Sequence, residues 1–319
     1  MKTKISIFTG MIATIIAIFI ITGCKKNEEP APTPTPPTVS PTDSTSQTTR
    51  ASDQSNVENE SNQAMDDVNG AFGQVSTTRG IQACSYDIDS SLKAQGKITL
   101  NYNGVNCGGK IRTGSITAQL PYSNGTITTW STVGATATLT FNNYKVVYPN
   151  GKSVKFNGIH KVTNVNGGGY IELVMGTPIV HKVRSNMQIS FDNATAIEWN
   201  SAKLRTFTYT GTYPTGVLKA TVAADSLPTS DRILMWGINT MGDHFVIKMP
   251  VDYTIDLLNP GTNCIGKPLT GQIEYTGITY VITITYGVDN YGYPTTSCPY
   301  GYKVEWDGNN QNYTAILPY

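Results

Sequence analysis

Charge is scarce in this chain. Asp, Glu, Lys and Arg make up 14% of it, with 23 basic residues against 22 acidic ones. A near-even balance with no basic stripe along the chain lacks the electrostatic footprint of a nucleic-acid binder. Histidine is scarcer still: His160, His181 and His244 are the only three. None belongs to a His-Glu-x-x-His or other close-spaced ligand pair, and each reads as a surface or edge-strand residue. There is no Gly-x-Ser-x-Gly to present a nucleophile. There is no phosphate-cradling loop either, because Gly167-Gly168-Gly169 precedes a strand pattern instead of opening a helix. No Cys-x-x-Cys occurs, so a structural metal lacks its ligand spacing. Residues 307–312 are oxygen-rich but lack the central Gly and closing Glu of a calcium loop, and read as a hairpin turn. These absences leave no assignable catalytic residue, no metal and no cofactor. Carboxylates are numerous but no pair stands out by spacing, so a polysaccharide hydrolase working with two of them remains an alternative.

What is present begins at the amino terminus. Lys2 and Lys4 precede an almost wholly apolar run over residues 5–22, the layout of a secretory signal. The run ends Ile21-Thr22-Gly23-Cys24. A branched apolar residue, two small residues and a Cys resemble a bacterial lipobox. That resemblance implies a signal peptide over 1–23 and lipidation of Cys24, which becomes the first residue of the mature chain. Several acyl chains, at about 0.8 kcal/mol per buried CH₂, hold a protein stably on a membrane where one chain does not. Lys25 follows the Cys, and Lys25-Lys26-Asn27-Glu28-Glu29 resembles a charged surface-export signal. The expected location is therefore the outer membrane, on its periplasmic or cell-surface face.

Residues 24–55 carry the anchor and a Pro/Thr/Ser-rich tether with too little apolar surface to fold. Residues 56–76 hold the one helical pattern. Val57, Ala64, Met65, Val68, Ala71, Phe72 and Val75 recur at three- and four-residue intervals. Gly70 and Gly73 weaken it, predicting a short helix that packs loosely or frays.

From residue 77 to 319 the period changes to two. Residues 278–286 place Ile278, Tyr280, Ile282, Ile284 and Tyr286 on one face, and residues 136–141 group Ala137, Leu139 and Phe141. Asn-Gly pairs at 103, 124, 150, 157 and 166, and Asp-Gly at 307, suit tight hairpin turns. The expected fold is all-β, an antiparallel, hairpin-rich sandwich or open barrel. Residues 103–116 and 260–273 share the frame Gly-x-Asn-Cys-x-Gly-Lys-x-x-Thr-Gly-x-Ile, which points to two related halves.

Five cysteines occur. With Cys24 committed to lipid, Cys84, Cys107, Cys264 and Cys298 remain, enough for two disulfides in three connectivities. If each bridge closes its own half, the pairs are Cys84–Cys107 and Cys264–Cys298, each worth about 3 kcal/mol in the chain-entropy picture. Cys107–Cys264 is the rival.

The lipobox and tether, then residues 102–120, the run from Thr140 to Asn164, residues 197–211 and residues 297–308, resemble an uncharacterised family of β-rich lipoproteins of Bacteroidota. The resemblance covers most of residues 80–319. It implies a setting on the cell envelope and carries over no catalytic residue.

Tyrosine outnumbers phenylalanine, 18 to eight. Tyr286, Tyr291, Tyr293, Tyr300 and Tyr302 cluster around Cys298, either capping sheet edges with ring in and hydroxyl out, or forming a candidate aromatic binding loop able to stack sugar rings or anchor a protein partner. The expected function is a non-enzymatic binding or interaction module for a glycan or an envelope protein. A structural envelope component is the other alternative.

Overall fold

The computed structural model describes residues 86–319 except 108, 124, 193–195, 226–230, 240–241, 260, 262–263, 265–266, 278–279 and 309–310. Before them it describes Asn56, Val57, Glu60, Ser61, Gln63, Ala64, Asp67, Val68 and Ala71, all helical, and these nine residues are termed α1.

The strands are β1 (Tyr86–Asp89), β2 (Lys97–Cys107), β3 (Lys110–Gln119), β4 (Tyr122–Ser123), β5 (Thr126–Ile127), β6 (Ala135–Val147) and β7 (Ser153–Asn164). The short helix α2 (Tyr170–Val174) follows, then β8 (Ile179–Phe191), β9 (Ile197–Thr210), β10 (Val217–Ala224), β11 (Ile233–Ile238) and β12 (His244–Leu258). Last come β13 (Pro268–Thr276), β14 (Val281–Val288), β15 (Gly301–Gly308) and β16 (Gln311–Pro318). Fourteen strands form one antiparallel sheet, nearly all paired with their sequence neighbours, and β4 and β5 make a separate two-stranded ribbon. The expected all-β antiparallel fold is what the chain adopts.

β10 and β11 act as one broken strand. Both pair with β9 on one side and β12 on the other, end to end. Arg232 carries the break with φ 49°, and its carbonyl accepts from the Met249 N–H at 2.9 Å. Asp225, at the other end of the break, takes the guanidinium of Arg184 and the ammonium of Lys182.

Alternation assigns the faces. Phe156, Ile189, Trp199, Ile247, Ile284 and Val304 point inward and belong to a single core drawn from β2 through β16. Residues so far apart along a sheet share one core only if the sheet curls over on itself, which gives a sandwich-like body with one buried face. β1 and β16 end the strand order, so the described sheet does not close into a barrel.

α1 fills the inside of the curl. Val57, Ala64, Val68 and Ala71 are buried in the same core. Glu60, also buried, takes Lys110 at 2.6 Å and Arg112 at 3.4 Å, and the Tyr102 hydroxyl donates to Asp67 at 2.8 Å. Burial raises the Asp67 carboxyl above its ordinary range, opposed by the Tyr102 and Gln63 hydrogen bonds. The helix is thus a core element with polar ties to β2 and β3, in contrast to the loose packing its glycines predict. Met65, Gly70, Phe72, Gly73 and Val75 lie outside the described residues.

Two of the Asn-Gly pairs do not turn. Asn103-Gly104 and Asn157-Gly158 lie inside β2 and β7. Gly104 and Gly158 take positive φ beside register shifts, where one strand holds an extra residue. The Asn157 side chain accepts from the Asn143 N–H at 2.7 Å and so pins the bulge in β6. The two copies of the internal repeat occupy equivalent places, the β2–β3 and β12–β13 corners, within one sheet and one core.

A candidate aromatic site at the disulfide corner

The tyrosine-rich segment lies between β14 and β15. The Cys264–Cys298 disulfide, with Cα atoms 5.3 Å apart, ties it to the β12–β13 corner. One of the two pairings expected from the repeat is therefore present, and Cys264 is not available to Cys107. Cys107 ends β2, while Cys24, Cys84 and the Cys84–Cys107 pairing lie outside the described residues.

Asp289 builds the loop. Its carboxylate accepts from the N–H groups of Tyr291 and Tyr293, both at 2.9 Å, and its own N–H donates to the Tyr293 carbonyl at 2.8 Å. Gly292, at φ 85°, donates to the Asp289 carbonyl and closes the turn. Further on, Thr295 donates to Gly287 and Tyr300 to Val288, which brings the segment back onto the end of β14. A loop held by a side-chain carboxylate, backbone bonds and a disulfide presents its side chains in fixed positions, so little entropy is lost when they make a contact.

The five candidate tyrosines divide into two groups. Tyr291, Tyr293 and Tyr300 are exposed, at 60, 69 and 46% of their surface. Tyr286 and Tyr302 face inward and form part of a row of tilted rings, Tyr253–Tyr286–Tyr302–Tyr319, with each successive pair of ring centroids 6.0 Å apart. The Tyr319 hydroxyl donates to the Pro268 carbonyl at 2.7 Å and accepts from the Gly287 N–H at 3.0 Å. Burial pushes its pKa up to about 12. The inner pair therefore supports the loop, and the outer three carry the free π-faces and hydroxyls.

Glu305 and Asp307 share the outer face of β15 and line a shallow depression of about 140 Å³ with Thr283, Asn312 and Thr314. Lys303 already pairs with Glu305 at 3.0 Å. The depression is small beside the several hundred Å³ that hold a typical ligand. Among the described residues no group of three or more His, Cys, Asp or Glu could hold a metal ion.

The histidines depart from expectation. His244 is exposed at the start of β12, but His160 is buried and His181 half-buried with its ring turned inward. β7 and β8 are central strands, and alternation turns both rings inward. His160 Nδ1 is 2.8 Å from the Ser185 hydroxyl, and Ser201 donates to Ser185 at 3.0 Å. This polar chain sits between the main core and a smaller one formed by Leu173, Ile179, Tyr209 and Leu218. Burial, then Lys203 and Arg205, lower the His160 pKa to about 3.

The expectation that basic residues form no stripe is also corrected. Residues 90–171 contain eight Lys or Arg and no Asp or Glu. Four of them, Lys97, Lys145, Lys155 and Lys161, fall on outward positions of β2, β6 and β7, while Arg112 turns inward onto buried Glu60. The 82-residue gap between acidic residues was the sequence signal for this basic run.

Comparison with known proteins finds no matching family model, no similar curated protein and no similar solved structure.

Proposed function

We infer that the chain is an exported, lipid-anchored binding module without catalytic activity, which meets its ligand through Tyr291, Tyr293 and Tyr300. The observation that carries this reading is the loop itself: three exposed tyrosines on a segment fastened by Asp289 and by Cys264–Cys298. Exposed aromatic side chains held rigidly are the groups that stack on sugar rings and anchor protein interfaces. The lipobox, the tether and the resemblance to β-rich lipoproteins of Bacteroidota support an outer-membrane setting, where glycans and envelope proteins are the available partners.

A glycan array probed with the purified full chain tests the reading. The expected result is retention on a subset of glycans, lost by at least tenfold in the Tyr291→Ala/Tyr293→Ala variant with unchanged thermal unfolding. A blank array would turn the reading towards a protein partner, and undiminished binding by the double variant would remove the loop from it.

A further inference from the structure

We propose that the outer face of β2, β3, β6, β7 and β8 is a docking surface for an acidic polysaccharide, a linear hydroxyl-rich chain bearing carboxylates or sulfates. From the preceding reading it takes only the exported setting, and it stands apart from the tyrosine loop.

The register places the charges. Lys97 lies opposite Gln119, Gln119 opposite Thr138, Thr138 opposite Lys161, and Lys161 opposite Arg184. That is one row across five strands, about 19 Å at the usual strand spacing. A second row runs from Thr113 to Lys145 to Lys155. Lys155 and Lys161 are six residues apart on β7, so the rows lie roughly 20 Å from each other. Between them the outward positions are hydroxyls and amides, among them Thr117, Thr140, Asn157, Asn186 and Gln188.

Two features make this face unlike an ordinary solvated one. Lys145 sits directly opposite Lys155, and Lys161 directly opposite Arg184. Like charges in facing positions destabilise a sheet, so the charges of Lys155 and Lys161 favour a bound anion. Asp225 answers Arg184 and Lys182, but Lys97, Lys155 and Lys161 have no ion-pair partner among the described residues. Among the described residues the nearby carboxylates lie at the borders: Asp87 and Asp89 on β1, Asp192 at the end of β8, Glu198 on β9 and Asp225 after β10.

The surroundings favour a polysaccharide over anionic lipid headgroups. Between the two rows Ile159 is the one large apolar side chain able to enter a bilayer interface. A grid of hydroxyl and amide groups flanking separated cations instead matches a polymer that alternates hydroxyls with acidic groups.

The test uses the full chain in detergent, with polygalacturonate and heparin as acidic probes and fully methyl-esterified polygalacturonate as the neutral control. The expected result is binding of an acidic probe that weakens steeply as salt is raised. Lys97→Gln/Lys155→Gln/Lys161→Gln should weaken it at least tenfold and flatten the salt dependence. The matching triple Lys→Arg variant should retain it, and so should Tyr291→Ala/Tyr293→Ala. Binding of neither acidic probe, equal binding of the methyl ester, or an unaffected triple Gln variant would each overturn the proposal. Binding to phosphatidylglycerol vesicles without binding to either polymer would assign the face to membrane lipid and overturn it too.

Discussion

Burial holds the His160 imidazole uncharged down to about pH 3, with Lys203 and Arg205 adding repulsion, and it holds His181 uncharged down to about pH 4 with help from Arg205. In the unfolded chain both rings protonate near pH 6.5. Below that value the unfolded state binds more protons than the folded one, so stability is full above pH 6.5 and falls as the pH drops towards 3–4. Each ring contributes a slope of up to about 1.4 kcal/mol per pH unit in that window. Denaturant unfolding between pH 7 and pH 4.5 should show this loss, and His160→Gln should make the dependence shallower whatever it does to stability at pH 7. A slope unchanged in the variant would mean that His160 is not a buried neutral group. At this scale the sequence was ambiguous, since Ile159 and His160 are neighbours on β7 and only one can face the core. Apolarity alone selects Ile159, yet it is 41% exposed and His160 is 3% exposed. The partners that make the histidine acceptable inside, Ser185 and Ser201, come from two other strands.

At the scale of elements, α1 was legible through its period, and its tight packing was not. Helical spacing shows that Val57, Ala64, Val68 and Ala71 share a side, whereas the sheet that receives them begins outside the helix. Glu60 makes the point sharply, because a carboxylate on a helix reads as solvated until Lys110 and Arg112 meet it inside. Removing one partner of a buried ionic cluster leaves the others uncompensated. Glu60→Ala should therefore lower the unfolding free energy by about 3 kcal/mol, measured by urea denaturation at pH 7. A change within the ordinary surface range of about 0.5 kcal/mol would mean that α1 is not docked as described. The strands themselves were readable. Ile282, Ile284 and Tyr286 face the core as the alternation predicts, and so do Leu139 and Phe141. Asn-Gly was a less faithful guide, because a glycine at positive φ serves a bulge as well as a turn. Which one it serves at 103 and 157 is decided by the neighbouring strand.

Across the whole molecule, the proposed anchor, the tyrosine loop and the proposed docking face occupy separate parts of the sequence. Cys24→Ala should abolish lipid attachment and move the protein from the membrane pellet to the soluble fraction. Unchanged sedimentation with an unprocessed amino terminus would identify the apolar run as a membrane-spanning signal anchor instead. The sequence by itself determined the all-β class, because a period of two is a property of neighbouring residues along one strand. It also marked the segment in which tyrosines and a cysteine gather, because both lie close together in the chain. Only the tertiary structure decided that Cys264 reaches Cys298, that Tyr286 and Tyr302 support the loop while Tyr291, Tyr293 and Tyr300 face out, and that scattered lysines form two rows. The physical reason is common to all three. Strand register and sheet curvature set which distant residues become neighbours, and they follow from the fit of every strand against the next, which no single stretch of sequence contains.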